Sequence, residues 1–195
     1  SGSGSFTSFA TLNTNANVTL NSTHQMHSVS ISAGAVFTIS NQWVKFTGSN
    51  PIIQNGTFNN TGSKIEYNGT SLQSVSVTNI NYYGLRINNP AGATLLGNIT
   101  IPDTMSVILG DLNLNGKIIT IGSSGYMTET PGNVVFGTTG NITTTRNVGA
   151  PSSLNVAGMG AVLTSAINLG VTVVTRGHTV QTGLNGGTSI KRYYD

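Results

Sequence analysis

The sequence predicts an all-β chain folded as a right-handed parallel β-solenoid, with coils of about twenty residues; an antiparallel β-sandwich is the alternative. Three observations carry this. A short phrase returns: Asn17-Val-Thr-Leu20 and Asn98-Ile-Thr-Ile101 each open a block, and matching runs, Phe37-Thr-Ile39 and Ile119-Thr-Ile121, close it about one coil later. Apolar alternation of period two is everywhere, while helical periodicity is almost missing. The strand-like runs are bounded by Gly, Asn and Pro, the residues that turns require.

Taken in order, residues 1–10, with Phe6 and Phe9 after Ser-Gly-Ser-Gly-Ser5, read as an N-terminal strand or linker. Residues 11–122 read as the main coils. Val29-Ser-Ile31, Ile65-Glu-Tyr67, Val75-Ser-Val77, Leu85-Arg-Ile87, Val107-Ile-Leu109 and Leu112-Asn-Leu114 each place apolar residues on one face. Residues 123–195 read as closing coils, in which Gly140-Asn-Ile-Thr143 and Leu169-Gly-Val-Thr-Val173 extend the repeat. The whole is one domain, and about nine or ten coils rising about 4.8 Å each would make a rod of roughly 45 Å. Asn-Gly pairs at 55–56, 68–69, 115–116 and 185–186 predict tight turns and speak for hairpins, hence the sandwich. The wealth of Asn speaks for the solenoid, where amides can stack as ladders between coils. All five prolines flank strand-like runs, where no ladder donor is lost.

Composition narrows the function. Of 195 residues only 7% are charged and 37% hydrophobic, so Asn, Thr, Ser and Gly supply the polar surface. The net charge of +3 comes from eight scattered Lys and Arg, of which only Lys191 and Arg192 are adjacent. No basic face for nucleic acid is expected. No apolar run reaches membrane-spanning length. Cysteine is absent, which excludes disulfides, thiolate metal sites and cysteine nucleophiles.

Several segments carry a resemblance. Gly56-Thr-Phe-Asn-Asn60, Gly62-Ser-Lys-Ile-Glu-Tyr-Asn-Gly69, Tyr83-Gly-Leu-Arg-Ile-Asn-Asn-Pro-Ala-Gly92 and Leu112-Asn-Leu-Asn-Gly-Lys-Ile-Ile-Thr-Ile-Gly122 resemble β-solenoid stretches of large secreted surface proteins of Bacteroidetes-type bacteria. Val174-Thr-Arg-Gly-His178 through Ser189-Ile-Lys-Arg-Tyr-Tyr194 is similar to the way such stretches close before a following domain. The resemblance implies export, through a dedicated type IX outer-membrane route, to the cell surface or the medium. It also implies that the chain is a segment of a longer protein.

Candidate chemistry is sparse. The acids are Glu66, Asp103, Asp111, Glu129 and Asp195, and only Asp111 and Glu129 have a spacing that stacked coils could align as a catalytic pair. The bland reading, solvated turn residues, is preferred, and no catalytic residue is assigned. His24 and His27 are three apart, which on a strand puts them on opposite faces, and His178 stands alone beside Arg176; no metal site or cofactor is expected. Gly158-Met-Gly160 and Gly183-Leu-Asn-Gly-Gly187 lack the following helix that a phosphate loop or nucleophile elbow needs. Trp43, Tyr82, Tyr83, Tyr193 and Tyr194 are candidates for glycan contact or end-cap packing, with core or end-cap packing preferred for Trp43. On a strand, one of Tyr82 and Tyr83 would be buried and the other presented. Asp103-Thr-Met105 looks like a short bacterial O-glycosylation signal that would place sugar on Thr104. Seven Asn-x-Ser/Thr triplets, at Asn17, Asn21, Asn55, Asn59, Asn68, Asn98 and Asn141, are what an Asn- and Thr-rich chain produces by chance. The threonines do not recur at one fixed position, so no ice-binding array is expected.

The reading is a non-enzymatic structural or adhesive module, extracellular or on the cell surface, acting as stalk, adhesin body or filament subunit. Terminal coils without charged gatekeepers would join end to end, to a copy or to a flanking domain, with Phe6, Phe9, Ile190 and Tyr193 as contacts. A glycan-binding module and a polysaccharide-active β-helix enzyme are the alternatives.

Overall fold

The computed structural model describes residues 11–59, 62, 64–78, 80–179 and 192–195, and these form a parallel β-solenoid of about six turns. The expectations on Phe6, Phe9 and Ile190, and on the Asn-Gly pair at 185–186, lie outside the described residues. Each turn visits three faces in a fixed order. Face 1 stacks Thr11–Thr14, Ser28–Ile31 and Ile52–Gln54, then Gln73–Val75, Ala93–Leu95, Leu112–Asn113 and Val135–Phe136. Face 2 stacks Val18–Leu20, Val36–Ile39 and Thr57–Asn59, then Ile99–Ile101, Ile118–Ile121 and Asn141–Val148. Face 3 is a single six-stranded sheet of His24–Met26, Trp43–Phe46, Lys64–Tyr67, Gly84–Asn88, Thr104–Leu109 and Tyr126–Glu129.

The register explains the returning phrase. Val18 pairs with Phe37 and Leu20 with Ile39, so the opener and closer of the first block are neighbouring rungs of face 2. Ile99–Ile119 and Ile101–Ile121 repeat the arrangement. In each opener the apolar residues point inward, the Thr points outward, and the Asn sits at the corner. The Asn side chain accepts a hydrogen bond from the backbone of the next coil, Asn17 from Val36 N at 3.0 Å and Asn98 from Ile118 N at 2.9 Å. At these two corners the Asn amide clamps the backbone of the adjacent coil rather than stacking on another amide. A corner carries an otherwise orphaned N–H, and the nearest acceptor that can satisfy it belongs to the preceding turn.

The core consists of inward rows that run along the axis. On face 3 one row is Val44, Ile65, Leu85, Met105 and Met127, and all are buried. A second row is Met26, Phe46, Tyr67, Ile87 and Val107, ending on Glu129. Faces 1 and 2 contribute Val29 and Ile31, Leu95 and Leu112, and Ile101, Ile119, Ile121 and Ile142. Between Phe58 and Ile99 face 2 has no strand among the described residues, and buried Ile80 and Tyr82 fill the interior there.

Three expectations are corrected. About six turns are present, not nine or ten, so the stack spans roughly 30 Å at about 4.8 Å per coil. The segment around Val171–Val173 does not open another coil. It lies in Gly170–Gly177, which runs antiparallel to Asn141–Val148 over eight paired residues and folds back across the stack. Tyr193–Tyr194 then pairs antiparallel with Arg176 and Gly177. Of the three Asn-Gly pairs among the described residues, only Asn115-Gly116 adopts positive φ at both residues (51° and 73°), as a hairpin-type turn requires. In the pair at 55–56 the glycine serves a different need: a Cβ at Gly56 would run into the carbonyl oxygens of Ser32 and Ala35 in the coil below.

Candidate functional site

The outer surface of face 3 carries a charged row. Lys45, Glu66 and Arg86 are register neighbours on three successive strands. The Glu66 carboxylate is nearly inaccessible, 3.7 Å from Lys45 Nζ and 3.2 Å from Arg86 Nη1, and accepts from Asn68 Nδ2 at 2.7 Å and Asn88 Nδ2 at 3.0 Å. Burial pulls its pKa upward, but the two amides and the two cations outweigh that and hold it below the ordinary carboxylate value. Beside this row lies Trp43, with the Arg86 guanidinium 3.9 Å over its ring and Lys64 Nζ at 5.7 Å. Trp43 is thus neither a core residue nor an end-cap. Its neighbours Val44 and Phe46 alternate inward and outward with it, and Trp43 falls on the outward phase. Lys64 crosses Gly84 to reach Asp103 at 2.6 Å, and a Cβ at Gly84 would meet that lysine stem. The Thr104 hydroxyl, half-buried, bonds the same aspartate.

The tyrosines are separated by the fold. Tyr82 is buried and Tyr83 exposed. Tyr82 OH donates to Ser76 O at 2.7 Å, Ser76 N donates to Tyr67 OH at 3.1 Å, and the two phenols are 2.6 Å apart, closing a ring of hydrogen bonds in the core. Tyr83 borders a hollow of about 410 Å³ with Phe58 and Pro102, which the edge of Tyr82 also lines. Tyr193 and Tyr194 lie at the far end, on the closing strands, where Tyr194 OH donates to Met159 O at 2.9 Å. The five candidate aromatics therefore occupy three places and form no shared platform.

The C-terminal end is closed by a device that the sequence reading did not anticipate. Glu129, at the end of an inward row, receives a two-pronged contact from Arg176, Nη1 to Oε2 at 3.0 Å and Nη2 to Oε1 at 2.8 Å. The Arg176 side chain is completely buried and also donates to Met159 O at 3.2 Å. Arg192 reaches the same carboxylate at 3.4 Å, and Val135 N donates to it at 2.7 Å. Burial would raise the Glu129 pKa, but Arg176 first, then the Val135 amide and Arg192, bring it below the ordinary value. His178, buried beside the arginines with no partner on Nε2, has its pKa pushed down to about 4 by burial and then by the two cations. The short turn at Val156–Gly158 lies against Tyr126–Glu129, and buried Val156, Ala157 and Met159 plug the core. This end thus carries charged gatekeepers, contrary to the expectation of bare coil edges, and the inward charges face one another across the cap.

The alignment of Asp111 with Glu129 also resolves differently. Asp111 accepts from Val134 N at 2.8 Å, while Glu129 accepts from the next amide, Val135 N, so the two carboxylates brace one strand from opposite sides. His24 bonds Ser22 at 3.0 Å, and no group of three metal-ligating side chains occurs among the described residues. The threonines do recur at one position: Thr100, Thr120 and Thr143 are register partners on the outside of face 2, and Thr175 continues the row antiparallel. The regularity escaped the sequence because the coils differ in length, twenty residues between Thr100 and Thr120 but twenty-three between Thr120 and Thr143. It is a single column, not the two-dimensional Thr-x-Thr array that binding to an ice lattice would need.

On face 1 the outward row of Thr94, Asn113 and Phe136 floors a groove of about 530 Å³, walled by the turns at 90–92, 109–111 and 132–133. Exposed apolar and fixed polar groups converge there. Fold and surface together define this chain as a capped parallel β-solenoid. In comparison with known proteins, the chain matches no family model, no curated protein and no solved structure.

Proposed function

We propose that the chain is a non-enzymatic structural segment of an exported bacterial surface protein, a stalk or adhesin body. In this role it holds neighbouring parts of a longer molecule apart along the solenoid axis. The observation that supports this best is the continuous face 3, six parallel strands over a filled interior with a single register shift, at Ile87/Asn88. Such a stack resists bending because each coil is hydrogen-bonded to the next along its length, and its reach is set by coil number alone. The resemblance to secreted solenoid stretches supplies the cellular setting.

Assembly is asymmetric in this reading. The antiparallel hairpin covers one end, whereas no described strand pairs with the outer edge of Thr11–Thr14 or Val18–Leu20. Strand addition, by a flanking segment or a second copy, belongs to that first coil. Proline at Thr11 and Asn13 removes two donors from this edge, and sedimentation should then show weaker self-association; unchanged association refutes the edge as the contact.

The spacer role is tested by removing one coil. Leu85 pairs with Met105, so deleting residues 85–104 returns the stack to register. The deletion should keep the β-rich far-ultraviolet spectrum and shorten the rod by about 4.8 Å in solution scattering. Aggregation or unfolding of the shortened chain would sink the reading that coils are interchangeable units of length. Antibody labelling of intact producing cells tests the location. Signal that needs permeabilisation rules out surface display.

A further inference from the structure

We propose that the groove on face 1 is a binding site for a neutral, linear oligosaccharide. It crosses four successive strands, from the coil of Leu72 through Thr94 and Asn113 to Phe136, about 14 Å along the axis. That length suits a short run of sugar units laid parallel to the solenoid axis.

The chemistry of the walls selects the ligand. Phe136 holds its ring outward, 44% exposed, and Leu72 is 58% exposed at the opposite end. An aromatic ring on a strand is a fixed flat surface on which the C–H face of a pyranose can pack. Between these two ends the polar groups are locked by their own backbone bonds. Asn113 spends its Oδ1 on Asn115 N at 2.9 Å, and Asn133 spends its Oδ1 on Gly110 N at 2.7 Å. Each amide is thereby oriented, and its Nδ2 donors are left to meet a ligand oxygen. Asp111 uses Oδ1 on Val134 N at 2.8 Å and keeps Oδ2 as an acceptor for a hydroxyl proton. Donors and an acceptor that are fixed before binding lose little freedom on contact, which is how hydroxyl-rich ligands are held without a deep pocket.

The charge pattern narrows the class further. Asp111 is the single ionisable residue lining the groove, so uronates and sulfated glycans meet a like charge there. One carboxylate also cannot complete the acid–base or acid–nucleophile pair of glycoside cleavage, and Glu129 is not among the lining residues. The groove therefore holds sugar without cutting it. This inference does not depend on the spacer role, since a groove on a rod of any purpose would carry it.

The test is an amide-resolved NMR titration of the full chain with hexamers of β-1,4-glucan, β-1,3-glucan, β-1,4-mannan, β-1,4-xylan and α-1,4-glucan. A β-1,4-linked chitin hexamer and hexagalacturonate complete the panel. At least one neutral hexamer should give saturable shifts centred on residues 110–113 and 132–136, with no new reducing ends. Phe136→Ala should weaken that binding about tenfold or more. Asp111→Asn, which retains the acceptor for Val134 N, should narrow the gap between neutral and uronate ligands. No saturable shift from any neutral hexamer at millimolar concentration overturns the proposal. So do shifts centred elsewhere, or tighter binding of hexagalacturonate than of every neutral sugar.

Discussion

Removing Glu129 should cost far more than removing Glu129 and Arg176 together. Arg176 has no exposed side-chain surface and loses two hydrogen bonds, of 2.8 and 3.0 Å, when the carboxylate goes. Only Met159 O, at 3.2 Å, remains, and its Nε already lacks a partner. Stranding a buried guanidinium in this way costs about 3–5 kcal/mol. Arg176→Met should cost less, about 2–3 kcal/mol, because Glu129 keeps Arg192 and the Val135 amide. In Glu129→Leu/Arg176→Met the remaining loss is chiefly the acceptor for Val135 N, about 1–2 kcal/mol. The singles should therefore exceed the double by several kcal/mol in a mutant cycle. Urea denaturation supplies the energies, and hydrogen exchange across 141–178 shows whether the cap opens ahead of the coils, as quasi-one-dimensional stacks allow. If the double variant loses as much as the two singles added, the pair is not a coupled lock and the argument fails.

Three further outcomes follow from buried polar groups. Tyr67, pushed up to about 12 by burial, and Tyr82, raised well above the ordinary phenol value by burial, should stay silent in a phenolate absorbance titration to pH 11; six titrating tyrosines below that pH in the folded chain would contradict the closed ring. Gln73→Leu should cost about 3 kcal/mol or more in urea denaturation. It strands Gly48 O (2.8 Å) and Gly69 N (2.8 Å) and takes one of two partners from Phe46 O, which keeps Asn68 N, and from Asn89 Nδ2, which keeps Ser71 O; a cost under 1 kcal/mol would show that the stranded groups find other partners. His178 is lowered from 6.5 to about 4, so between those values the unfolded chain binds a proton that the folded chain refuses. Stability should be whole above pH 6.5 and fall as pH drops toward 4, by at most about 3 kcal/mol, with Glu129 adding its own loss below its unfolded value; His178→Asn should flatten the upper part of that profile, and an unchanged profile would remove the histidine from the account.

The fold was legible in the sequence because period-two alternation and a corner Asn are local signals that each coil must repeat. Asn17 and Asn98, eighty-one residues apart, do the same task and are set in the same four-residue phrase. Local phrasing could not count the coils, because a strand entering the stack antiparallel reads like any other. Val171-Thr-Val173 alternates as an opener does, yet Gly170–Gly177 pairs antiparallel with the last coil's strand. The direction of a strand is set by what the chain does between strands, here the long excursion through Val156–Gly158 that turns it back. The same holds for the surface. Unequal coil lengths hid the Thr100–Thr120–Thr143 row and the Thr94–Asn113–Phe136 row, since register, not residue spacing, decides which side chains become neighbours.

The sequence by itself therefore determined the class of fold, the length of a coil and the scarcity of charged side chains, all of which rest on composition and nearest-neighbour pattern. Only the tertiary structure decided where the stack stops, which charges lock its end, and which face carries a groove. Those features join residues from different coils, such as Glu129 with Arg176, forty-seven residues apart, and backbone stacking alone brings them within reach of each other.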